Sequence, residues 1–383
     1  MKTANLTAML SAATLAFLHA ASATAQTSDK WIIAEVAPLS GPAATVGAQL
    51  NKVARLWAEE VNARGGIKGK KVELITCNDE GKPEKAVACV RDALRQDAVM
   101  FFAHSLTAST RAMQSALTNG PLMIVASPNI VPAPDTFTFQ VSPSDHHITL
   151  AIADYVQANK LKGLGMIAAT DASGEVGVES AQKVFAERKL DLKLRRIDLK
   201  ANDSSVQLAS VAGPDVDLVY SSYSGGGAAT VVKSFTNLGL TQPLVVSYAN
   251  LSAAFIEVVK DVMPKRLLGT AIKSLVPDTM GDAATAKRAK EFMAAYEKKY
   301  GERSDMINLL GKMDVDVAEA VLTNVANPAD NQSVKKFLES TPIESVQHLK
   351  FSPNSHVGLT EKDVVIVEYK NGGWVRAAPV GAR

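Results

Sequence analysis

The chain has 383 residues, with 41 Lys and Arg against 39 Asp and Glu, for a formal net charge of +2. That near-balance supplies no basic field for nucleic acid and no acidic tail. The length favours two domains over one, and 47% apolar residues give material for two cores.

Residues 1–25 read as a cleavable export signal. Lys2 is the only charge, an apolar stretch follows over 6–21, and Ala23-Thr24-Ala25 places small residues before Gln26. As a membrane anchor the segment is too short and too rich in Ala, Ser and Thr. The first cysteine is Cys77, so no thiol stands near the cut for lipid attachment.

A strand is expected at 31–37, then the turn Pro38-Leu39-Ser40-Gly41-Pro42. Leu50, Val53, Ala54, Trp57 and Val61 recur at helical spacing up to Asn62-Ala63-Arg64-Gly65-Gly66. A strand at 71–76 precedes a helix that starts at Pro83 and carries Ala86, Val90, Ala93 and Leu94 on one face. Strand 99–103, helix 107–118 and strand 122–126 complete the first set. Such alternation predicts an α/β, doubly wound, mainly parallel sheet with helices on both faces.

A proline-rich passage, 128–143, holds a strand-like stretch at 136–141 and leads into a crossing between domains. The second series runs helix 146–159, strand 164–169, helix 176–188, strand 192–198, helix 204–211, strand 217–221, helix 228–238, strand 244–247, helix 252–261 and strand 267–271. Helical patterns at 282–300, 305–325 and 333–338 precede a strand pair, 346–351 with 364–369. Asn371-Gly372 then marks a hairpin turn.

Two cysteines, Cys77 at a strand end and Cys89 on the next helix, favour a disulfide in an exported chain, with two buried thiols as the alternative. No residues with metal-ligand spacing surround them. His146-His147 point in different directions on a helix and do not make a metal pair. Ser224-Gly225-Gly226-Gly227 lacks the spacing and the Lys-Ser/Thr ending of a phosphate loop. Asp171-Ala172-Ser173-Gly174-Glu175 has its glycine in the wrong place for a calcium loop. No nucleophile elbow or zinc-protease motif occurs, so no catalytic residue, metal or cofactor is expected.

Four stretches carry a resemblance. They are Pro38-Leu39-Ser40-Gly41-Pro42 with Gly47, Val61-Asn62-Ala63-Arg64-Gly65-Gly66-Ile67-Lys68-Gly69, Cys77-Asn78-Asp79-Glu80-Gly81-Lys82-Pro83 with Ala86-Val87, and Leu238-Gly239-Leu240. Through them the chain resembles periplasmic solute-binding proteins of ABC importers, of the leucine/isoleucine/valine-binding type. The resemblance implies the type I periplasmic binding fold, two lobes joined by three crossings. Lobe one would be 27–143 plus 273–350, and lobe two 144–272 plus 351–383. It also implies a monomer in the periplasm that closes on a small solute and hands it to an inner-membrane permease. A sensing role for a separate receptor is the alternative.

Ser105 and Thr107 stand where a helix begins, so their hydroxyls are caps or ligand contacts, and the free N–H groups there suit a carboxylate. In the family's amino-acid-binding members this loop holds the ligand carboxylate, and Thr107 keeps the hydroxyl. Other positions depart from the pattern. Val46 stands where an aromatic packs the ligand side chain. The loop with Ser127 and Asn129 has Val131 where a threonine hydroxyl is used. Ser173-Gly174 replaces a Tyr-Gly pair, and Ser224, beside Tyr223, replaces a tyrosine. Tyr248 stands where an acidic residue accepts the ligand's ammonium. An ammonium buried without an anionic partner costs several kcal/mol, so the expected ligand is a carboxylate without an amine, with an amino acid or small amide as the alternative.

Overall fold

A computed structural model describes residues 29–41, 43–224 and 226–379. The expected export signal lies outside the described residues. The first sheet contains β1 (Lys30–Ala37), β2 (Lys71–Asn78), β3 (Met100–Ala103), β4 (Leu122–Val125) and β5 (Thr138–Gln140), all parallel, in the order β2-β1-β3-β4-β5. Between them run α1 (Ala44–Ala63), α2 (Pro83–Leu94) and α3 (Thr107–Ala116).

The chain then passes to a second unit through α4 (Asp145–Ala158), β6 (Gly163–Ala169), α5 (Ala172–Glu187), β7 (Asp191–Ile197), α6 (Ser205–Val211), β8 (Leu218–Ser222), α7 (Gly226–Asn237), β9 (Leu244–Val246), α8 (Ala253–Val259) and β10 (Leu267–Ile272). It returns to the first unit as α9 (Ala283–Tyr300), α10 (Met306–Asn324), α11 (Asn331–Ser340) and the small hairpin β11 (Ile343–Glu344) and β12 (His348–Leu349). It ends in the second unit with β13 (Val364–Lys370) and β14 (Gly373–Arg376), giving the order β14-β13-β10-β9-β8-β6-β7. The protein is therefore an α/β fold of two lobes.

The two-residue period of the strands explains the layers. Ile33 joins the apolar layer of α1 and α10, whereas Ala34 and Val36 face Ala86 and Val90 of α2 and Met113 of α3. In the second lobe Met166 and Ala168 meet Ile148, Ile152 and Val178 of α4 and α5, while Ile167 and Ala169 face the other way. Both sheets thus carry helices on both faces. Apolar contact continues between the lobes through Ile272, Leu275, Val276 and Met306 at the crossings.

Two terminal features differ from expectation. Segment 346–351 does not pair with 364–369; β12 pairs with β11, and β13 pairs with β10 and β14. The third crossing is also later than 350/351. Gln140 N–H donates to His356 O at 2.8 Å and Gly358 N–H to Gln140 O at 2.9 Å, so this stretch extends the first sheet beyond β5. The His356 ring stacks on Phe139 at 4.0 Å, and its Nε2 lies 2.9 Å from Glu339 Oε1. These bonds hold the segment to lobe one as far as Leu359. The expected hairpin is present, with Asn371 and Gly372 at φ 52° and 79°, a conformation for which asparagine and glycine are suited.

The disulfide forms between Cys77 and Cys89, whose Cα atoms are 5.8 Å apart. It fastens the end of β2 to α2. Deeper in this lobe, His104 is fully buried at the end of β3. Its Nδ1 lies 2.9 Å from Glu35 Oε1 on β1, and its Nε2 lies 2.9 Å from Asp314 Oδ2 on α10. Thr76 donates to Glu35 Oε2 at 3.0 Å, and Asn51 donates to the same oxygen. Burial alone pulls the imidazole down, but the two carboxylates outweigh it and raise His104 to about 9.

His104→Gln should therefore lower stability by about 3–5 kcal/mol in urea unfolding, because two carboxylates are left buried without a cation. In the native protein the contribution of His104 is complete below its unfolded value of about 6.5 and fades as pH rises toward about 9. The urea midpoint of the native protein should fall across that window more steeply than that of the variant.

Candidate functional site

In each lobe the loops at the carboxyl ends of the parallel strands face the other lobe, the position at which open α/β sheets bind ligands. The two sets of loops meet, with α3 of lobe one against α5 of lobe two. Asn129, after β4, donates from Nδ2 to the carboxylate of Asp145 on α4 and lies 3.5 Å from Ser173 O on α5.

Thr107 is the first residue of α3 and only 7% exposed. The preceding Leu106 is extended and gives the helix no side-chain cap. By contrast, Ser144 caps α4 and Asp305 caps α10. The opening N–H groups of α3 thus receive no side-chain cap, and an anion there would be held by N–H groups and by the helix dipole. Ser105 is committed elsewhere, since its hydroxyl donates to the Asp79 carboxylate. Val46 is half-buried against the core near the start of α1. Ser127 is half-buried after β4, and Val131 is exposed.

In lobe two, Ser173 lies in the first turn of α5 and donates to Asp171 Oδ1 at 2.7 Å, while Asp171 caps the helix through Gly174 N–H at 3.0 Å. Asp171 is therefore a cap. Ser224 is exposed. Tyr223, a candidate from its place beside Ser224, is engaged within its own lobe. Its ring packs so closely under Gly227 that a Cβ there would stand 1.6 Å from it, and its hydroxyl donates to Asp198 O at 2.9 Å. The ring is a structural prop of the β8–α7 turn. Tyr248 occupies a 3-10 turn, Tyr248–Asn250, and with Pro128, Pro143, Ile148 and Met306 lines a small cavity where the lobes join.

Sequence reasoning missed Asp145. It is the first residue of α4, where an acidic side chain reads as an ordinary partner of the helix dipole, and the adjacent His146-His147 drew attention away from it. In the structure it is 5% exposed. Burial pushes its carboxyl up to about 7, against the downward pull of the Asn129 amide. The same carboxylate helps to push the phenols of Tyr220 and Tyr248 up, behind burial as the larger cause. Gly177 of α5 leaves the space beside it, 3.9 Å from Asp145 Oδ2 and 2.8 Å from Ser222 Oγ when measured from a Cβ position. His147 instead completes a capping box with Ser144. Among the described residues no cluster could hold a metal ion, and no helix is long and apolar enough to cross a membrane.

A profile of the periplasmic binding protein family matches residues 31–373, and the chain belongs to that family. A Leu/Ile/Val-binding protein homologue of Brucella melitensis is 31% identical over 132 residues, 33% of this chain and 36% of that protein. The match thus spans about a third of that relative's length. An extracellular ligand-binding receptor from Rhodopseudomonas palustris superposes with a TM-score of 0.81 at 19% identity, covering 91% of this chain and 100% of the other. A solute-binding protein of an ABC transporter from R. palustris, in complex with benzoate, superposes with a TM-score of 0.73 at 20% identity, covering 91% and 96%. At these identities the structural likeness is one of fold.

Because the Tyr223 hydroxyl serves the β8–α7 turn, Tyr223→Phe should leave solute affinity unchanged and lower stability by about 1 kcal/mol, read by titration calorimetry and urea unfolding.

Proposed function

We propose that this protein is the solute-capturing component of an ABC importer, a periplasmic monomer that closes on a small carboxylate and presents it to an inner-membrane permease. The observation that supports the reading is the buried start of α3 at Thr107, which has no side-chain cap and belongs to a helix in contact with α5 of the second lobe. The site binds and performs no chemistry. Lobe closure would be driven by the difference in solute affinity between the open and closed forms.

The preferred solute is a carboxylate without an amine. Tyr248 supplies no negative charge where the family's amino-acid binders place an acid, and Val46 leaves room for an apolar or aromatic body. The benzoate bound by the R. palustris relative belongs to this chemical class. Ser127, Asn129, Ser173 and Ser224 are the remaining polar positions proposed around it. A branched-chain amino acid is the second reading. It is favoured by Asp145, an acid within electrostatic reach of Tyr248, and by the Leu/Ile/Val-binding relative.

Leucine, 4-methylpentanoate and benzoate separate these readings, because the first two differ only in the ammonium. A true ligand at 100-fold its Kd should add about 2.7 kcal/mol of stability in a thermal-shift assay. A response to the two acids and none to leucine supports the amine-free reading, and the reverse overturns it. Thr107→Ala should weaken the responding ligand by about 1–3 kcal/mol; unchanged affinity removes its hydroxyl from the site.

A further inference from the structure

We propose that Asp145 makes solute capture proton-linked: when the lobes close on a carboxylate, the Asp145 carboxyl takes one proton from solvent and remains neutral in the complex. This rests on the amine-free reading of the same site.

The geometry begins with the donors. Asp145 Oδ2 accepts from Asn129 Nδ2, and Oδ1 has no hydrogen-bond partner among the described residues. Its own backbone N–H is directed elsewhere, to Pro128 O at 3.1 Å. Among the described residues the neighbouring elements set no lysine or arginine against this carboxyl. Packed against Asp145, α5 offers Gly177, β8 offers Tyr220 and Ser222, and the 3-10 turn offers Tyr248. On α4 itself, burial pulls the His147 imidazole down, with His146 acting the same way and Glu361 and Asp363 opposing it. None of these neighbours is a lysine or arginine.

A solute carboxylate entering the same closed space would set two acids in one low-dielectric site, where both do not stay ionised. The proton goes to the acid with fewer donors. The solute has the N–H groups of α3, whereas Asp145 has one amide. Asp145 is already poised for the step, since burial pushes its carboxyl up to about 7. The Asn129 amide ties this carboxyl to the loop that carries Ser127, so its protonation is felt at the cleft wall and not only within α4.

The sign follows. Only the protonated form accepts the anion freely, so affinity is level well below about 7 and falls toward tenfold per pH unit above it. A solute bearing an ammonium gives the opposite sign, because pairing ionises Asp145 and releases a proton.

The test is calorimetric titration of the mature protein with 4-methylpentanoate, benzoate and leucine between pH 6 and pH 8.5, each in two buffers of different ionisation enthalpy. The expected result is weaker binding of the acids as pH rises above about 7, with uptake approaching one proton near pH 8. Asp145→Asn should flatten the pH profile and abolish the uptake. The proton count of the native protein stands even where that variant fails to fold. Acid binding with no uptake and a flat profile overturns the proton link and leaves the amine-free reading intact. Leucine binding with proton release, or failure of both acids to bind, overturns that reading and the proposal with it.

Discussion

Beneath the loop that opens α3 lies a cation enclosed by two anions. His104 joins Glu35 of β1 to Asp314 of α10 at the level where β3 ends, and the next two residues, Ser105 and Leu106, lead directly into Thr107. A buried imidazole would ordinarily lose its proton, but hydrogen bonds to Asp314 and Glu35 reverse that and raise His104 to about 9. Burial still pushes Asp314 up against the pull of His104, and Asn51 and Thr76 satisfy the remaining Glu35 oxygen. The consequence is positional. The end of β3 is fixed to a neighbouring strand and to a helix of the returning chain, so the uncapped start of α3 is presented at a set depth.

The cleft is defined as much by residues engaged elsewhere as by those left free. The Ser105 hydroxyl is held by Asp79, that of Ser173 by Asp171, and that of Tyr223 by the Asp198 carbonyl. Such internal bonds rigidify the loops, and rigid loops lose less entropy on binding. The groups available to a solute are consequently few. In the proposed site they are the α3 terminus with Thr107, the Asn129–Asp145 pair, Tyr248 at the junction, and the polar positions Ser127, Ser173 and Ser224.

The fold was largely legible because its elements follow simple periodicities. Leu50, Val53, Ala54, Trp57 and Val61 form the buried stripe of α1, and Asn371-Gly372 makes the terminal turn, because both signals are local. The third crossing was not legible, since it depends on His356 stacking on Phe139, residues 217 positions apart (356 − 139) that no local pattern connects. The site divides in the same way. Thr107 could be placed from the helix start that follows β3. Tyr223 and Asp145 could not be assigned, because one-dimensional reading gives a tyrosine near a strand end or an acid at a helix start, and only packing shows that the first is engaged and the second buried. In the sequence Tyr248 stands without an acid nearby, whereas folding brings Asp145 within electrostatic reach of it.

That juxtaposition changes how specificity is to be understood here. A site with a fixed anion at its far wall selects ammonium by charge, and a site with only phenols rejects it. Asp145 belongs to neither class, because its carboxyl lies near neutrality with a single amide donor and is free to end either way. The outcome is set by competition for donors. In the proposed site the solute's carboxylate would have the N–H groups of α3, while the Asp145 oxygens have little beyond Asn129. Adding a donor at Asp145 would favour its ionised form and an amine-bearing solute, whereas removing Asn129 would favour the neutral form. On the proposed reading, solute class would thus be governed less by which acidic residue is present than by how many N–H groups hold its charge.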